Sequence, residues 1–390
     1  MNRPVYLDYA ATTPVDPRVA AAMAQCLTLE GEFGNPASSS HAYGTAALDL
    51  VETARAQIGA CVGASPAEVV FTSGATEANN LAIFGLTRYC VESGRHIVTA
   101  RTEHKAVLDP CRELERRGWQ VTYLEPDGGG IIHAEQVGAA LQADTVLVSI
   151  MHVNNEIGVI QDIAAIAAAC ARHGGARLHV DAAQSVGKCA VDFAALGVDL
   201  MSLSAHKVYG PKGVGALLVA QGRGRPAVQL SARQFGGGQE RGLRAGTVPT
   251  HQVVGMGRAF ELAAAPEPEA QRIGTLRERL WRGLASIGGV LRNGDAVRSV
   301  PHLLNVSFEG VEGESLLASL RGQIAVSTGS ACTSALREPS YVLRALGRDD
   351  ILSESSLRFG LGRFTTAADI DTAVSTVAQA VWRLRRVSGS

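Results

Sequence analysis

Arg177-Leu178-His179-Val180-Asp181-Ala182-Ala183-Gln184 and Leu200-Met201-Ser202-Leu203-Ser204-Ala205-His206-Lys207 are the two stretches whose reading decides the fold. Each begins as a short β-favouring run and ends on polar groups. Asp181 and Lys207 lie 26 residues apart, the length of one strand–helix–strand unit, so they are expected on neighbouring strand ends. The pattern extends outward from this pair. Glu68 to Thr72, His96 to Ala100, Thr145 to His152 and Gly215 to Val219 read as further strands. Ser40 to Ala60, Glu77 to Tyr89, Lys105 to Arg117 and Ile163 to His173 read as helices between them. Strands separated by helices imply βαβ units and a mostly parallel sheet covered on both faces. The scarcity of charge in the strands agrees with burial on both sides.

After about residue 220 the texture changes. Gly236-Gly237-Gly238 and Arg241 to Thr247 form a glycine- and arginine-rich loop, and Val253 to Ala265 resumes as a helix. Pro266 to Pro268 reads as a linker. Beyond it are a long helix (Arg272 to Ser286), a strand (Leu303 to Phe308), a helix (Glu314 to Leu320), a polar loop (Val326 to Pro339), a strand around Leu357 to Phe359 and a final helix. The fold class is therefore α/β with a smaller α+β part. The expected division is a large unit over 15–260 and a small one made of 1–14 with 261–390.

Composition removes several function classes. The chain has 390 residues, with 36 Lys and Arg against 37 Asp and Glu, a net charge of −1. That argues against a nucleic-acid binder, whose footprint would be basic. Apolar residues make up 46% and charged ones 19%, enough for a large core and against disorder. No apolar run reaches the roughly 18 residues of a membrane helix, and no apolar region behind basic residues suggests a secretory signal. The seven cysteines are scattered without a CxxC pair. A disulfide framework, a structural zinc site or any intrinsic metal site is not expected, and the expected compartment is a reducing cytoplasm.

In open parallel sheets, ligands bind beyond the carboxyl ends of the strands. Those ends carry Ser73-Gly74-Ala75-Thr76, Thr102-Glu103-His104, Asn154-Asn155-Glu156, Asp181 to Gln184, and Ser204 to Lys207. A Ser-Gly-Ala-Thr turn opening a helix offers backbone N–H groups and the helix dipole to a phosphate; taken alone it is equally an ordinary capped turn. Lysine is scarce, only Lys105, Lys188, Lys207 and Lys212, so a solvated surface role for Lys207 is the weaker reading. Lys212, in Gly210-Pro211-Lys212-Gly213, reads as a turn lysine. A lysine able to form a Schiff base, an acid opposite a pyridinium nitrogen and a phosphate cradle are what pyridoxal 5'-phosphate requires. Cys332 sits in Ser327-Thr328-Gly329-Ser330-Ala331-Cys332-Thr333-Ser334, small, polar and aperiodic. A thiol in such a loop is a candidate nucleophile, whereas the other six read mostly as packed small hydrophobes. Arg358, in Ser356-Leu357-Arg358-Phe359-Gly360, offers a fork for a substrate carboxylate.

These motifs converge. The chain resembles the class V pyridoxal-phosphate enzymes, and within them the cysteine desulfurases of the bacterial iron–sulfur assembly type. The likeness runs through Tyr6 to Pro14, Phe33 to Ser38, Thr72 to Glu77, Thr102 to Lys105, Met151 to Gly158, His179 to Gly187, Ser204 to Gly213, Gly236 to Thr247, Ser327 to Ser334 and Leu357 to Phe364. The resemblance implies the type I aminotransferase fold of pyridoxal-phosphate enzymes, with Lys207 holding the cofactor and then moving protons. It implies that Asp181 pairs with the ring nitrogen, that Gln184 and Asn155 contact the ring hydroxyl side, and that His104 stacks on the ring. Ala75, Thr76, Ser204 and His206 would hold the phosphate, together with Thr247 from a second copy, making a homodimer. Arg358, with Asn35 and Asn155 nearby, would bind the carboxylate of L-cysteine. Cys332 would attack the substrate sulfur, giving alanine and a persulfide. That sulfur would pass to an iron–sulfur scaffold or another acceptor protein, Cys332 transiently sharing a cluster with the scaffold, and tRNA thiolation is a further outlet. Two departures stand out. Ala205 occupies a position usually held by glycine, which implies altered loop packing. The chain ends at Ser390, where housekeeping members carry a longer tail that helps dock the scaffold, so the usual scaffold is the less secure partner. The rival readings are a class V aminotransferase or lyase, including a selenocysteine lyase, that does not need Cys332, and a catalytically silent sulfur carrier.

Overall fold

The computed structural model describes residues 3–222, 226–328 and 339–387. The chain opens with β1 (Val5–Tyr6), α1 (Pro17–Ala24) and α2 (Ala42–Val62). There follow β2 (Val69–Thr72), α3 (Ala75–Tyr89), β3 (His96–Ala100), α4 (Lys105–Arg116), β4 (Gln120–Leu124), α5 (Ala134–Ala140), β5 (Thr145–Ser149), α6 (Ile163–His173), β6 (Arg177–Asp181), β7 (Leu200–Ser204) and β8 (Gly215–Val219). The remainder supplies α7 (Thr250–Leu262), α8 (Glu267–Ala285), β9 (Val290–Arg292), β10 (Leu303–Phe308), α9 (Gly313–Leu320), β11 (Ile324–Ala325), α10 (Tyr341–Ala345), α11 (Asp350–Glu354), β12 (Ser356–Gly360) and α12 (Ala367–Val387).

The large sheet has the order β2-β8-β7-β6-β5-β3-β4. β8 is antiparallel to both its neighbours, and the other pairings are parallel. Two successive reversals leave β2 running with the parallel strands. The carboxyl ends of β2, β3, β5, β6 and β7 therefore share one rim. β5, β7 and β8 are buried along their whole length, as their charge-free, mostly apolar runs predict for a sheet covered on both faces. Ile97, Leu147, Val180, Leu203 and Leu217 from the sheet pack with Ile83, Val253 and Phe260 from the helices in one core. A second core joins Leu7 to Leu280, Leu304, Phe359 and Val377 around the antiparallel sheet β12-β10-β9. No helix among the described residues is long and apolar enough to cross a membrane.

Two expectations need correction. Pro266 to Pro268 is not a linker: α8 begins at Glu267, with Pro266 as its N-cap and Pro268 in its first turn. The missing proline N–H costs nothing there, because first-turn N–H groups have no intrahelical acceptor. β4 and α5 went unread between Arg117 and Thr145. β4 is an edge strand with mostly half-exposed residues, so it lacks the apolar run that marks the central strands.

The glycine-rich loop is fixed to the large sheet by a buried ion pair. Arg55 on α2 forks onto Glu240 at 2.9 and 3.0 Å, and Glu240 also accepts from the Phe71 N–H at 2.7 Å. Both side chains are less than one-tenth exposed. Glu240→Ala leaves the Phe71 N–H without its acceptor and the buried Arg55 guanidinium with only Glu52 and Val69 O, so it is expected to lower unfolding free energy by about 3 kcal/mol. Denaturant titration of the purified variant checks this, and Glu240→Gln should lose less.

Candidate active site

A cavity of about 510 Å³ opens over the shared rim. Ala75, Thr76, His104, Asn155, Asp181 and Gln184 line it, as do Ser204, His206, Lys207 and Arg358. The rim read from the strand ends is thus one continuous site.

At one end, α3 starts beside β2. Its N-cap, Gly74, has φ 150° and no side-chain cap, leaving the first-turn N–H groups open. A Cβ on Gly74 would meet nothing within 4 Å, so the space before the helix start is clear for a ligand. Glu77 holds the turn, accepting from the Ser73 N–H at 2.7 Å and from Arg244 at 2.9 Å.

In the middle, Asp181 is buried and accepts from Asn79 Nδ2 at 2.7 Å and from the Ala183 N–H at 3.0 Å. β6 and β7 are parallel neighbours, with Asp181 opposite Ser202, so Lys207 follows the adjacent strand end, as the 26-residue spacing predicts, and both side chains line the cleft. Lys207 sits in a single 3-10 turn after β7. Its Nζ donates to Ala10 O at 2.7 Å and Ala11 O at 2.6 Å. Thr13 straps this turn: its hydroxyl donates to His206 O at 3.1 Å and accepts from the Tyr209 N–H at 2.8 Å. Tyr209 is held at φ 64°, a left-handed conformation unfavourable for an aromatic residue. Ala205 is fully buried. Its methyl is accommodated because position 210 is glycine, where a Cβ would come within 2.9 Å of it.

His104 caps α4, its Nδ1 accepting from the Ala106 N–H at 3.1 Å. Burial pushes its pKa down, and the Asp181 and Lys207 charges pull in opposite directions. The imidazole is therefore neutral near pH 7, with its proton on Nε2. Gln184 donates from Nε2 to Ala10 O at 2.8 Å, and its Oε1 accepts from Lys188. At the far end Arg358, only 2% exposed, donates to Asn155 O at 2.9 Å, Asp8 Oδ1 at 3.1 Å and Ser327 Oγ at 3.3 Å. Arg358 Nε and Asn155 Oδ1 are buried without partners, a donor and an acceptor that a zwitterionic ligand would satisfy.

Two expected site residues fall elsewhere. Asn35 lies in a separate cavity of about 340 Å³ with Arg55 and Gly238, so one chain alone does not bring it to Arg358. Thr247 is exposed and does not line the cleft. Cys332 lies outside the described residues. Conversely, Lys212 lines the cleft although it was expected only as a turn residue. Asn79 and Lys188 were missed. Asn79 lies on the second turn of a helix whose register only its start reveals, and Lys188 gave no motif signal beyond lysine scarcity. Burial pushes the Cys61 thiol up to about 11 and those of Cys111 and Cys189 up to about 12, which makes them poor nucleophiles at neutral pH.

Burial also pushes His152, His179 and His206 down to about 4. Unfolding restores a value of about 6.5, so the unfolded chain binds more protons below that pH. Their contribution is complete above about pH 6.5 and is lost as the pH falls towards 4. Glu103 and Glu156, raised by burial, act with the opposite sign and offset part of it. The expected result is a thermal midpoint that falls between pH 7 and 5, checked by circular dichroism across that range.

An amine, a buried acid, a helix start without a side-chain cap and a buried arginine on one cleft fit a phosphorylated pyridine aldehyde and an amino-acid substrate. Fold and rim together define an α/β enzyme of the pyridoxal-phosphate class. The family described as Aminotransferase class-V matches residues 5–373, and the chain belongs to it. Cysteine desulfurase IscS of Aeromonas hydrophila is 59% identical over 389 residues, spanning 100% of this chain and 95% of that protein. The protein of the same name from Pectobacterium atrosepticum is 58% identical with the same coverage. Among solved structures, a NifS-like protein superposes with a TM-score of 0.91 at 34% identity, covering 98% of this chain and 100% of the other. SspA in complex with cysteine gives 0.81 at 37% identity, covering 94% and 100%.

Proposed function

We propose that the chain is a pyridoxal-phosphate-dependent cysteine desulfurase acting in iron–sulfur cluster assembly. The observation that carries the site assignment is the Asp181 and Lys207 pair on adjacent parallel strand ends, within a cleft that ends at Arg358. The relatives' names support the substrate. When bound, the cofactor supplies an electron sink for the substrate's α-carbon. Lys207 anchors it and moves protons to and from that carbon. Asp181 would keep the ring nitrogen protonated, Gln184 and Asn155 would serve the ring hydroxyl, and His104 would cover the ring with its Nε2–H available for proton transfer. The first turn of α3, with Ala75 and Thr76, holds the phosphate together with Ser204 and His206. Arg358 and Asn155 take the substrate carboxylate. The Cys332 thiolate bonds to the substrate sulfur, and the carbon–sulfur bond breaks with its electrons left on carbon. That carbon takes a proton, releasing alanine and leaving a persulfide on Cys332 for an acceptor protein.

A homodimer belongs to this reading. Leu29, Phe33, Tyr43 and Phe235 are exposed apolar side chains, and Asn35 and Thr247 serve the site only from a second copy. The two larger cores support a large unit over 15–260 and a small one of 1–14 with 261–390, joined by two smaller clusters. A reducing cytoplasm suits the free thiols of the described cysteines. The deciding experiment adds L-cysteine and a reductant to the purified protein and measures sulfide and alanine. Equimolar release supports the reading; transamination without sulfide overturns it.

A further inference from the structure

Lys188 is one of four lysines and is only 9% exposed. Burying an ammonium is costly unless a partner uses it. Its hydrogen-bond partner is Gln184 Oε1, one helical turn's spacing away. Burial pulls the pKa of Lys188 down to about 7; in its ammonium form it has three donors and no acceptor, so only the oxygen end of the Gln184 amide can face it. The Nε2 end is thereby turned away, to Ala10 O at 2.8 Å, the same carbonyl that Lys207 Nζ reaches at 2.7 Å. Gln184 lines the cofactor cleft, whereas Lys188 does not. Lys188 instead lines a cavity of about 20 Å³ behind it, together with Lys207 and His302. That is room for one water, and His302 Nδ1 is buried there without a partner.

We propose that Lys188 is a positioning residue: from behind the cleft it fixes which end of the Gln184 amide the cofactor ring meets. The proposal rests on the pyridoxal-phosphate reading above. Without Lys188 only the Ala10 carbonyl orients the amide, so its Nε2 end is less firmly fixed towards the ring hydroxyl side.

The test is a double-mutant cycle on the cofactor-loaded protein. Lys188→Met keeps the stem and removes a buried charge, a change often tolerated or stabilising, so its thermal midpoint should be at or above that of the wild type. Its visible absorption band should nevertheless shift, and it should hold pyridoxal phosphate about five- to tenfold more weakly, the loss of one oriented hydrogen bond. Gln184→Ala should shift the band in the same way, and the double variant no further. A wild-type band and affinity in Lys188→Met, or effects that multiply in the double variant, overturn the proposal. Should Lys188→Met fail to fold, Lys188→Gln decides. Its amide can donate to Gln184 Oε1 as Lys188 does, so a band kept at the wild-type position while Gln184→Ala shifts it supports the proposal, and a Gln184→Ala band that stays at the wild-type position overturns it. Wild-type protein that carries no cofactor on Lys207 overturns the parent reading and this one together. A shift in Gln184→Ala without one in Lys188→Met overturns only the role of Lys188.

Discussion

Cys332→Ser is expected to cut sulfide and alanine release from L-cysteine by several orders of magnitude while the protein keeps its colour. Desulfuration has two parts. The first takes up the substrate amine and removes the α-proton, which in the proposed assignment calls on Lys207, Asp181 and His104 and on no thiol. The second needs a thiolate that attacks sulfur and then carries it away. Among the described cysteines, Cys61, Cys111 and Cys189 have thiols raised by burial to about 11 or 12. Cys26 and Cys90 are raised too, burial being the first cause. None of these five is poised as a thiolate and Cys170 is buried in α6, which leaves Cys332 as the candidate. The variant should still bind L-cysteine with a spectral change but accumulate no persulfide. Near wild-type release of both products would identify a class V lyase that does not use this cysteine, the main rival reading.

Lys207→Ala is expected to lower turnover by about a thousandfold or more, because covalent anchoring and proton transfer are lost together. The phosphate turn at Ser73 to Thr76 and the buried Asp181 remain, so the variant should retain pyridoxal phosphate without a covalent bond. Borohydride reduction of the wild type followed by peptide mapping gives the complementary result, an adduct on Lys207. The comparison is meaningful because only four lysines compete. Lys212 also lines the cleft, but it lies in the turn before β8, whereas Lys207 directly follows β7, the parallel neighbour of the strand that ends on Asp181. An adduct on Lys212, or undiminished turnover in Lys207→Ala, would overturn the assignment.

The strand runs ending at Thr72 and Ala100, and the start of α6 at Ile163, were legible because they are local. A short buried strand declares itself by an uninterrupted apolar run, and a strand–helix–strand spacing fixes which ends become neighbours. That was enough to place Asp181, Lys207, His104, Asn155 and the phosphate turn on one rim. Cys332 and Arg358 were picked out by context alone, a polar loop and a short strand, and only Arg358 has its burial described.

By itself, the sequence determined the α/β alternation, the rim and the scarcity of competing lysines. The tertiary structure alone decided what holds that rim in shape. The Arg55–Glu240 pair spans 185 residues of sequence, the Arg358–Asp8 pair 350, and the strap from Thr13 to His206 spans 193. Lys188 became informative only once its partner Gln184 and the small cavity behind it were in place. Such pairs leave no period or turn signature, because a charge distant in sequence is paired only after both cores have packed and removed the competing water.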